Sequence, residues 1–529
     1  MLTVILDVFV SAFAILLLVT TGSAVLALSS KGRQVEGLTL LAYSVAFGII
    51  CFALLGAVIV SLPSPYGINA RIALGGVLVF SVLQCWRRNV LARLWAGCRR
   101  WTLLGLSSWA SVACLALGAS LVPVTMPNPL PDGAYVIKNE NLHVKIQRIL
   151  GDFPADNYIP FVAAEFLLRD IQFAKERPLM PGQELSNRPI LLSLATIPIH
   201  AALYPPSPRV EPLPKFRYVG TRWPNVGILG DNVSYRTFLR LAVVFNAALI
   251  LGFVLVLQRL KVPIELATLS CVVYATSPYF LGQTLFAWPK SLGGFFLILS
   301  GLMLLKRHHY YVAGILAGAA YWSHPYAVVY CCCFFLYLIC SSRSFSFAKQ
   351  SAVPFTISLS LILIPWFIWT RIYLQIPSDL VSQNLHAASL YDAVVARLLN
   401  LRDAFFPMPI SWTNPDAWAQ IAIVGMVGAV GPFVVVQALL GGLQAVRRAP
   451  MEGILLAALP CSMLIAVFGV RALPALHGLQ PLAAVLLAIS FWWMYMNLPK
   501  RTAMCLGVAQ ISINLLMIAY RVNALSMSV

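Results

Sequence analysis

Ten of the chain's 18 acidic residues fall between Met126 and Arg240: Asp132, Glu140, Asp152, Asp156, Glu165, Asp170, Glu176, Glu184, Glu211 and Asp231. A positioned carboxylate can take a proton as a general base, so this stretch is where the chemistry is expected. Asp132 leads the candidates, because Leu130-Pro131-Asp132-Gly133-Ala134-Tyr135 follows directly on an apolar run. Glu140, Asp152 and Asp156 are the alternatives. Pro-Asp-Gly is also a strong turn signal, and Asp156 before Asn157 suits a helix cap. The matching cations lie elsewhere. Lys290 is the one charge in the apolar stretch 282–290, Arg471 and His477 flank a short turn stiffened by Pro474, and His324 sits between Ser323 and Pro325. Arg, Lys and His are the side chains that hold a developing negative charge.

The elements that must position these groups are membrane spans. The 529 residues are 60% hydrophobic and 10% charged, with mean hydropathy +0.82, against about 25% charged in a soluble domain. The fold class is therefore an all-α polytopic membrane protein. Apolar runs near 4–28, 38–62, 71–86, 102–125, 238–257, 262–281, 291–305, 311–323, 326–341, 351–373, 418–446, 452–471, 475–497 and 502–520 predict about 12–14 transmembrane helices. Asp7 and the lack of a basic start make the first run a retained span. The net charge of +19 does not indicate nucleic acid, because the basic residues lie in small clusters between apolar runs.

Those clusters set the topology. One set of short loops carries 17 Lys and Arg: Lys31, Arg33, Arg87, Arg88, Arg93, Arg99, Arg100, Arg259, Lys261, Lys306, Arg307, Arg343, Lys349, Arg447, Arg448, Lys500 and Arg501. The other carries four: Arg71, Lys290, Arg471 and Arg521. The positive-inside rule puts the first set in the cytoplasm. The acidic loop, Lys290, His324, Arg471 and His477 then share the extracytoplasmic face, while His308 and His309 face the cytoplasm at the lipid headgroups. The organisation expected is N-terminal spans over 1–125, the acidic loop with interfacial helices over 126–237, central spans over 238–373, a second outer loop over 374–417 and C-terminal spans over 418–529.

Within the long loop, Ile159, Val162, Ala163, Phe166, Leu167 and Ile171 recur at helical spacing. Glu165, Arg169 and Asp170 are expected to point away from that apolar face, as in a helix lying on a membrane surface. The apolar run after Arg188-Pro189 is too short for a comfortable crossing, and reads as an interfacial or re-entrant helix. Tyr204 to Pro224 is a Pro-rich linker. Asn232-Val233-Ser234 fits a glycosylation triplet, a pattern common by chance. The run Cys331-Cys332-Cys333 reads as small apolar packing.

Pro131-Asp132-Gly133-Ala134-Tyr135 after a span, Asn187-Arg188-Pro189-Ile190-Leu191-Leu192 opening a later loop helix, Arg240 opening the next span, Trp288-Pro289-Lys290 and the Gly/Ala-rich stretch from Gly314 to Pro325 together resemble the GT-C superfamily of integral-membrane glycosyltransferases. The resemblance covers residues 102 to 345 and is architectural. It implies transfer, with inversion, of a sugar from a polyprenyl- or dolichyl-phosphate carrier to an extracytoplasmic glycan, lipid or protein acceptor, with a bacterial inner membrane as the setting. A loop carboxylate would deprotonate the acceptor hydroxyl. Tyr135, His143, Arg188, Lys290, His324, Arg471 and His477 would bind substrate, with Arg471 and Lys290 foremost at the phosphate. The chain departs from the superfamily in three respects: several spans precede the loop, 282–290 holds no carboxylate, and the Trp-Trp-Asp signature is absent. No metal ligand is assigned, and a divalent metal is left open. The competing functions are a transporter or flippase of lipid-linked saccharide and a polymerase or ligase of lipid-linked glycans. A transporter would place charge at mid-membrane, where the spans read as nearly charge-free.

Overall fold

The computed structural model describes residues 2–29, 35–63, 65–96, 99–120, 159–173, 185–204, 232–306, 309–341, 345–376, 391, 392, 395, 432–467 and 478–527. Every regular element among them is helical. Before the long loop come α1 (Leu2–Leu28), α2 (Gly37–Ser61), α3 (Tyr66–Arg87), the short α4 (Val90–Trp95) and α5 (Arg99–Ala119). Two loop helices follow, α6 (Ile159–Leu168) and α7 (Leu191–Leu203). The central group is α8 (Asn232–Ala247), α9 (Leu249–Arg259), α10 (Ile264–Thr276), α11 (Pro278–Leu285), α12 (Lys290–Leu305), α13 (Tyr310–Ser323), α14 (Ala327–Cys340) and α15 (Phe345–Phe367). The last group is α16 (Pro432–Arg448), α17 (Pro450–Gly453), α18 (Leu459–Val467), α19 (Gln480–Asn497) and α20 (Lys500–Met527).

Among the described residues six helices are long and apolar enough to cross a membrane: Ile5–Leu28, Gly37–Ser61, Tyr66–Arg87, Arg99–Ala119, Ser234–Arg259 and Lys349–Tyr373. A seventh is added if α10 and α11, bent by 60° at their junction, form one broken span. Proline sets several of these breaks. It lacks the N–H that a helix interior needs, so it collects at or just before the first turn. Pro263 caps α10, Pro278 opens α11 and Pro289 precedes α12.

Two ends of the bundle can be told apart by their contacts. At one end Asp7 of α1 pairs with Arg236 and Arg240 of α8, and Arg236 also donates to Ser120 just after α5. This is where the long loop leaves and returns, and it is called the loop end below. At the other end Arg93 donates to the Val35 carbonyl at 2.9 Å, Lys500 lies 3.8 Å from Glu265, and the charge of Arg259 reaches Lys306. These residues come from the basic loops, so the basic clusters gather on one side. The Asp7 pair also corrects the expectation of nearly charge-free spans: Asp7 is 4% exposed and Arg240 6%. Sequence composition counts such charges but does not show that they neutralise one another between two helices.

Both loop helices are more deeply packed than expected. Every residue of α7 from Leu191 to Ala201 is buried. A Cβ at Gly56 of α2 would run into the Leu194 carbonyl, so glycine there lets α7 lie flush against α2. In α6, Glu165 is 1% exposed, not solvent-facing. Its Oε1 accepts from Ser234 Oγ at 3.0 Å and lies 3.1 Å from His200 Nε2, and its Oε2 accepts from Arg169 Nε at 3.0 Å. Two donors, with His200 beside them, let a carboxylate be buried where one apolar face could not. The same contacts leave Ser234, the third residue of the Asn232 triplet, fully buried.

Candidate functional site

The chain between α11 and α12 bends sharply over Phe286, Ala287, Trp288 and Pro289. Asn246 of α8 clamps this bend. Its Nδ2 donates to the Phe286 carbonyl at 2.9 Å, and its Oδ1 accepts from the Leu292 N–H at 3.3 Å. Leu292 lies in the first turn of α12, where helix N–H groups have no partner inside the helix. One fully buried amide therefore fixes the bend and starts the helix.

Three of the cationic candidates gather on Trp288 at this bend. The Arg188 guanidinium lies 4.4 Å from the ring centroid of Trp288, and Lys290 Nζ lies 5.2 Å from it and 4.8 Å from that of Phe286. The His324 ring is 4.9 Å from the same indole. All three are buried, at 8%, 4% and 3% exposure. Arg188 is set by a short turn, Leu185–Asn187, whose Leu185 carbonyl accepts the Arg188 N–H at 2.8 Å. His324 caps α13 in an extended conformation, and its Nδ1 accepts the Tyr326 N–H at 3.2 Å. That bond makes Nε2 the nitrogen carrying the proton in the neutral ring. Tyr326 Oη donates to the Lys290 carbonyl at 2.7 Å, and Tyr330 Oη donates to the Gly478 carbonyl at 2.5 Å.

The backbone adds to the positive potential. α7, α12 and α14 begin at or within three residues of Arg188, Lys290 and His324, and none has an acidic residue in its first turn. Helix N-termini carry a partial positive charge and favour anions. Lys290 therefore stands where its own helix disfavours a cation. Three helix starts thus add their partial charges to the three side chains.

Lys290 was expected at a membrane boundary, where long cations extend to the headgroups. It lies deeper. Asn246 is twelve residues along α8 from Ser234, which is ~18 Å down the helix from the loop end at 1.5 Å per residue. The helices around it are short, 8 residues in α11 and 14 in α14. Hydropathy along one segment does not register that its neighbours extend further.

Of the residues assigned from sequence, the structure brings together Arg188, Lys290 and His324. Asp132, Tyr135, Glu140, His143, Asp152, Asp156, Arg471 and His477 lie outside the described residues. Gly478, directly after His477, borders the centre: its φ is +87°, and a Cβ there would stand 2.9 Å from the Tyr326 ring. Asn246, Tyr326, Tyr330 and Gln480 were not singled out. Asn246 did leave a signal, as a lone amide in Ala242-Val243-Val244-Phe245-Asn246-Ala247. No group of three His, Cys, Asp or Glu able to hold a metal occurs among the described residues.

Asn246→Leu removes both clamps and strands a buried carbonyl and N–H. The expected cost is about 1–3 kcal/mol of stability per stranded group, read as a lowered thermal midpoint together with reduced activity. An unchanged midpoint would mean that the bend holds without Asn246.

No protein-family model, curated protein or solved structure matches this chain. The fold and its composition define an all-α chain with the build of a multi-pass membrane protein, carrying a recessed cationic centre.

Proposed function

We propose that the protein is a membrane glycosyltransferase of GT-C type, which moves a sugar from a polyprenyl-phosphate carrier to an extracytoplasmic glycan, lipid or protein acceptor. One observation carries this reading. Arg188, which belongs to the acidic loop, lies on Trp288 beside Lys290 and His324, so the loop reaches the cationic centre. The cations bind the carrier phosphate. A loop carboxylate, Asp132 foremost, takes the proton of the acceptor hydroxyl. The acceptor oxygen then bonds to the anomeric carbon as the bond from that carbon to the phosphate oxygen breaks, and the carrier phosphate leaves with its charge increased.

On this reading the chain crosses the membrane about 12–14 times, the short helices α11 to α14 included, and the loop end is extracytoplasmic, in a bacterial inner membrane. The basic asymmetry predicts that a reporter fused at Pro208 is extracytoplasmic and one at Arg93 cytoplasmic. Both on one side would break the ladder of spans.

A second reading has a specific observation behind it. Broken helices whose N-termini face an anionic ligand are a transporter device, and α10–α11 is such a break. Transport of a lipid-linked saccharide would use the same cations without a base. The two readings separate in one pair of assays. Purified protein in detergent should transfer labelled sugar from carrier to acceptor. Counterflow in sealed vesicles with no transfer in detergent would favour transport, and growth of a labelled glycan by whole repeat units would favour a polymerase or ligase.

A further inference from the structure

A buried phenol stands where α11 turns away from α10. It is Tyr279, the second residue of α11, and hydrogen bonds and packing of Gln283, Gln480 and Gly478 tie that helix to Tyr326 and Tyr330. The latter two donate to the carbonyls of Lys290 and Gly478. Tyr279 does not share this arrangement. It is 8% exposed, and its hydroxyl has no hydrogen-bond partner among the described residues. Buried hydroxyls are nearly always satisfied, by protein, water or ligand. One turn further along α11, on the same helix face, Gln283 accepts from Gln480 Nε2 at 3.0 Å. Gln480 in turn accepts the Gly478 N–H at 3.0 Å. A hydroxyl and an amide thus share one face of α11, with the Phe280 ring edge-on to Tyr279 at 5.1 Å, and Tyr326 lies 4.9 Å from His324. Through Tyr326 this polar group adjoins the cationic centre.

Few placed polar groups against aromatic walls give a pocket its selectivity for a polar ligand. We propose that Tyr279 and Gln283 form a subsite for the sugar of the carrier-bound donor, with the Tyr279 hydroxyl bonding to a sugar hydroxyl. This rests on the reading of Arg188, Lys290 and His324 as the carrier-phosphate site. That site fixes one end of the donor, and the phenol beside it meets the group attached there. The remaining occupant is a trapped water, which would satisfy the phenol without any relation to the ligand.

The test uses full-length protein in detergent, wild type and Tyr279→Phe. The probes are decaprenyl phosphate and decaprenyl phosphates carrying glucose, galactose, mannose or arabinose. In wild type at least one sugar-bearing carrier binds more tightly than the bare phosphate. In Tyr279→Phe that advantage falls about tenfold, the worth of one hydrogen bond, while bare decaprenyl phosphate binds as before. The ligand-free thermal midpoint stays level or rises, because the variant removes a hydroxyl that the fold does not satisfy. A sugar advantage retained in Tyr279→Phe, one absent in wild type, or an equal loss for the bare phosphate would each overturn the subsite and leave the phosphate site standing. Failure of wild type to bind decaprenyl phosphate would overturn the phosphate site, and the subsite with it.

Discussion

Lys290→Met is expected to lower the rate of the proposed sugar transfer by about 10²–10³-fold. The magnitude follows from the position of the charge. In that reaction negative charge would accumulate on the carrier phosphate as the sugar leaves, and a cation fixed beside it would stabilise the transition state more than the bound ground state. Losing one such donor costs about 2.7–4 kcal/mol in a preorganised site, and each 1.36 kcal/mol is tenfold in rate. Lys290 is fixed by its surroundings: it opens α12, its carbonyl is held by Tyr326, and its ammonium lies 4.8 Å and 5.2 Å from the rings of Phe286 and Trp288. Methionine keeps the length and the apolar stem while removing the charge. Arg188→Lys tests the partner cation differently. It keeps the charge but loses the planar face that lies on Trp288 and the two-pronged grip on phosphate, so it should fall between wild type and Arg188→Ala. The measurement is transfer rate against carrier concentration. Lys290→Met with unchanged kinetics would make this ammonium a packing group and leave the phosphate site unassigned.

The helical ladder was legible because apolar runs are bounded by basic clusters and proline. The runs 38–62, 311–323 and 326–341 fall on the helices Gly37–Ser61, Tyr310–Ser323 and Ala327–Cys340, of which the first is long and apolar enough to cross a membrane by itself. What escaped the sequence depends on two segments at once. The run 262–281 reads as one span, but Pro278 divides it into α10 and α11 with a 60° bend. Glu165 reads as the polar face of a surface helix. Besides Arg169 one turn on, its partners are 35 and 69 residues away, at His200 and Ser234, and no local periodicity shows those two. The same holds for Lys290. It reads as a boundary cation, and its depth follows from the position of Asn246 on a longer neighbouring helix. Arg188 was named a substrate-binding residue from its place before α7, with no partner assigned to it. Its meeting with Trp288, a hundred positions later, is what turns separate candidates into one centre. Arg471 ranked above Lys290 on sequence grounds, because it sits at a span end with Pro474 and His477 close behind. Arg471 lies outside the described residues, so Lys290 and Arg188 are the pair whose surroundings can be described.

Asp132→Asn is expected to abolish most transfer while leaving carrier binding intact. The amide keeps the shape of the carboxylate and loses the proton acceptor, and general-base catalysis typically contributes about 10² to 10⁴-fold. The position of the base in the chain agrees with this role. α5 ends at Ala119 at the loop end, where Ser120 is held by Arg236. Twelve residues separate Ser120 from Asp132, and an extended chain of that length reaches ~40 Å. The cationic centre lies ~18 Å down α8 by helical rise, within that reach. One residue of the loop, Arg188, lies at the centre. A base acts on the acceptor, so Asp132→Asn should lower the maximal rate at saturating carrier and leave the affinity for decaprenyl phosphate as in wild type. Lys290→Met should weaken both. The contrast separates the two roles on one assay. Near-normal transfer by Asp132→Asn, with Glu140→Gln, Asp152→Asn or Asp156→Asn inactive, would move the base to another carboxylate of the same loop. Normal transfer by all four variants would remove the loop from the chemistry and favour transport, in which the cations bind the carrier phosphate and no proton is taken from an acceptor.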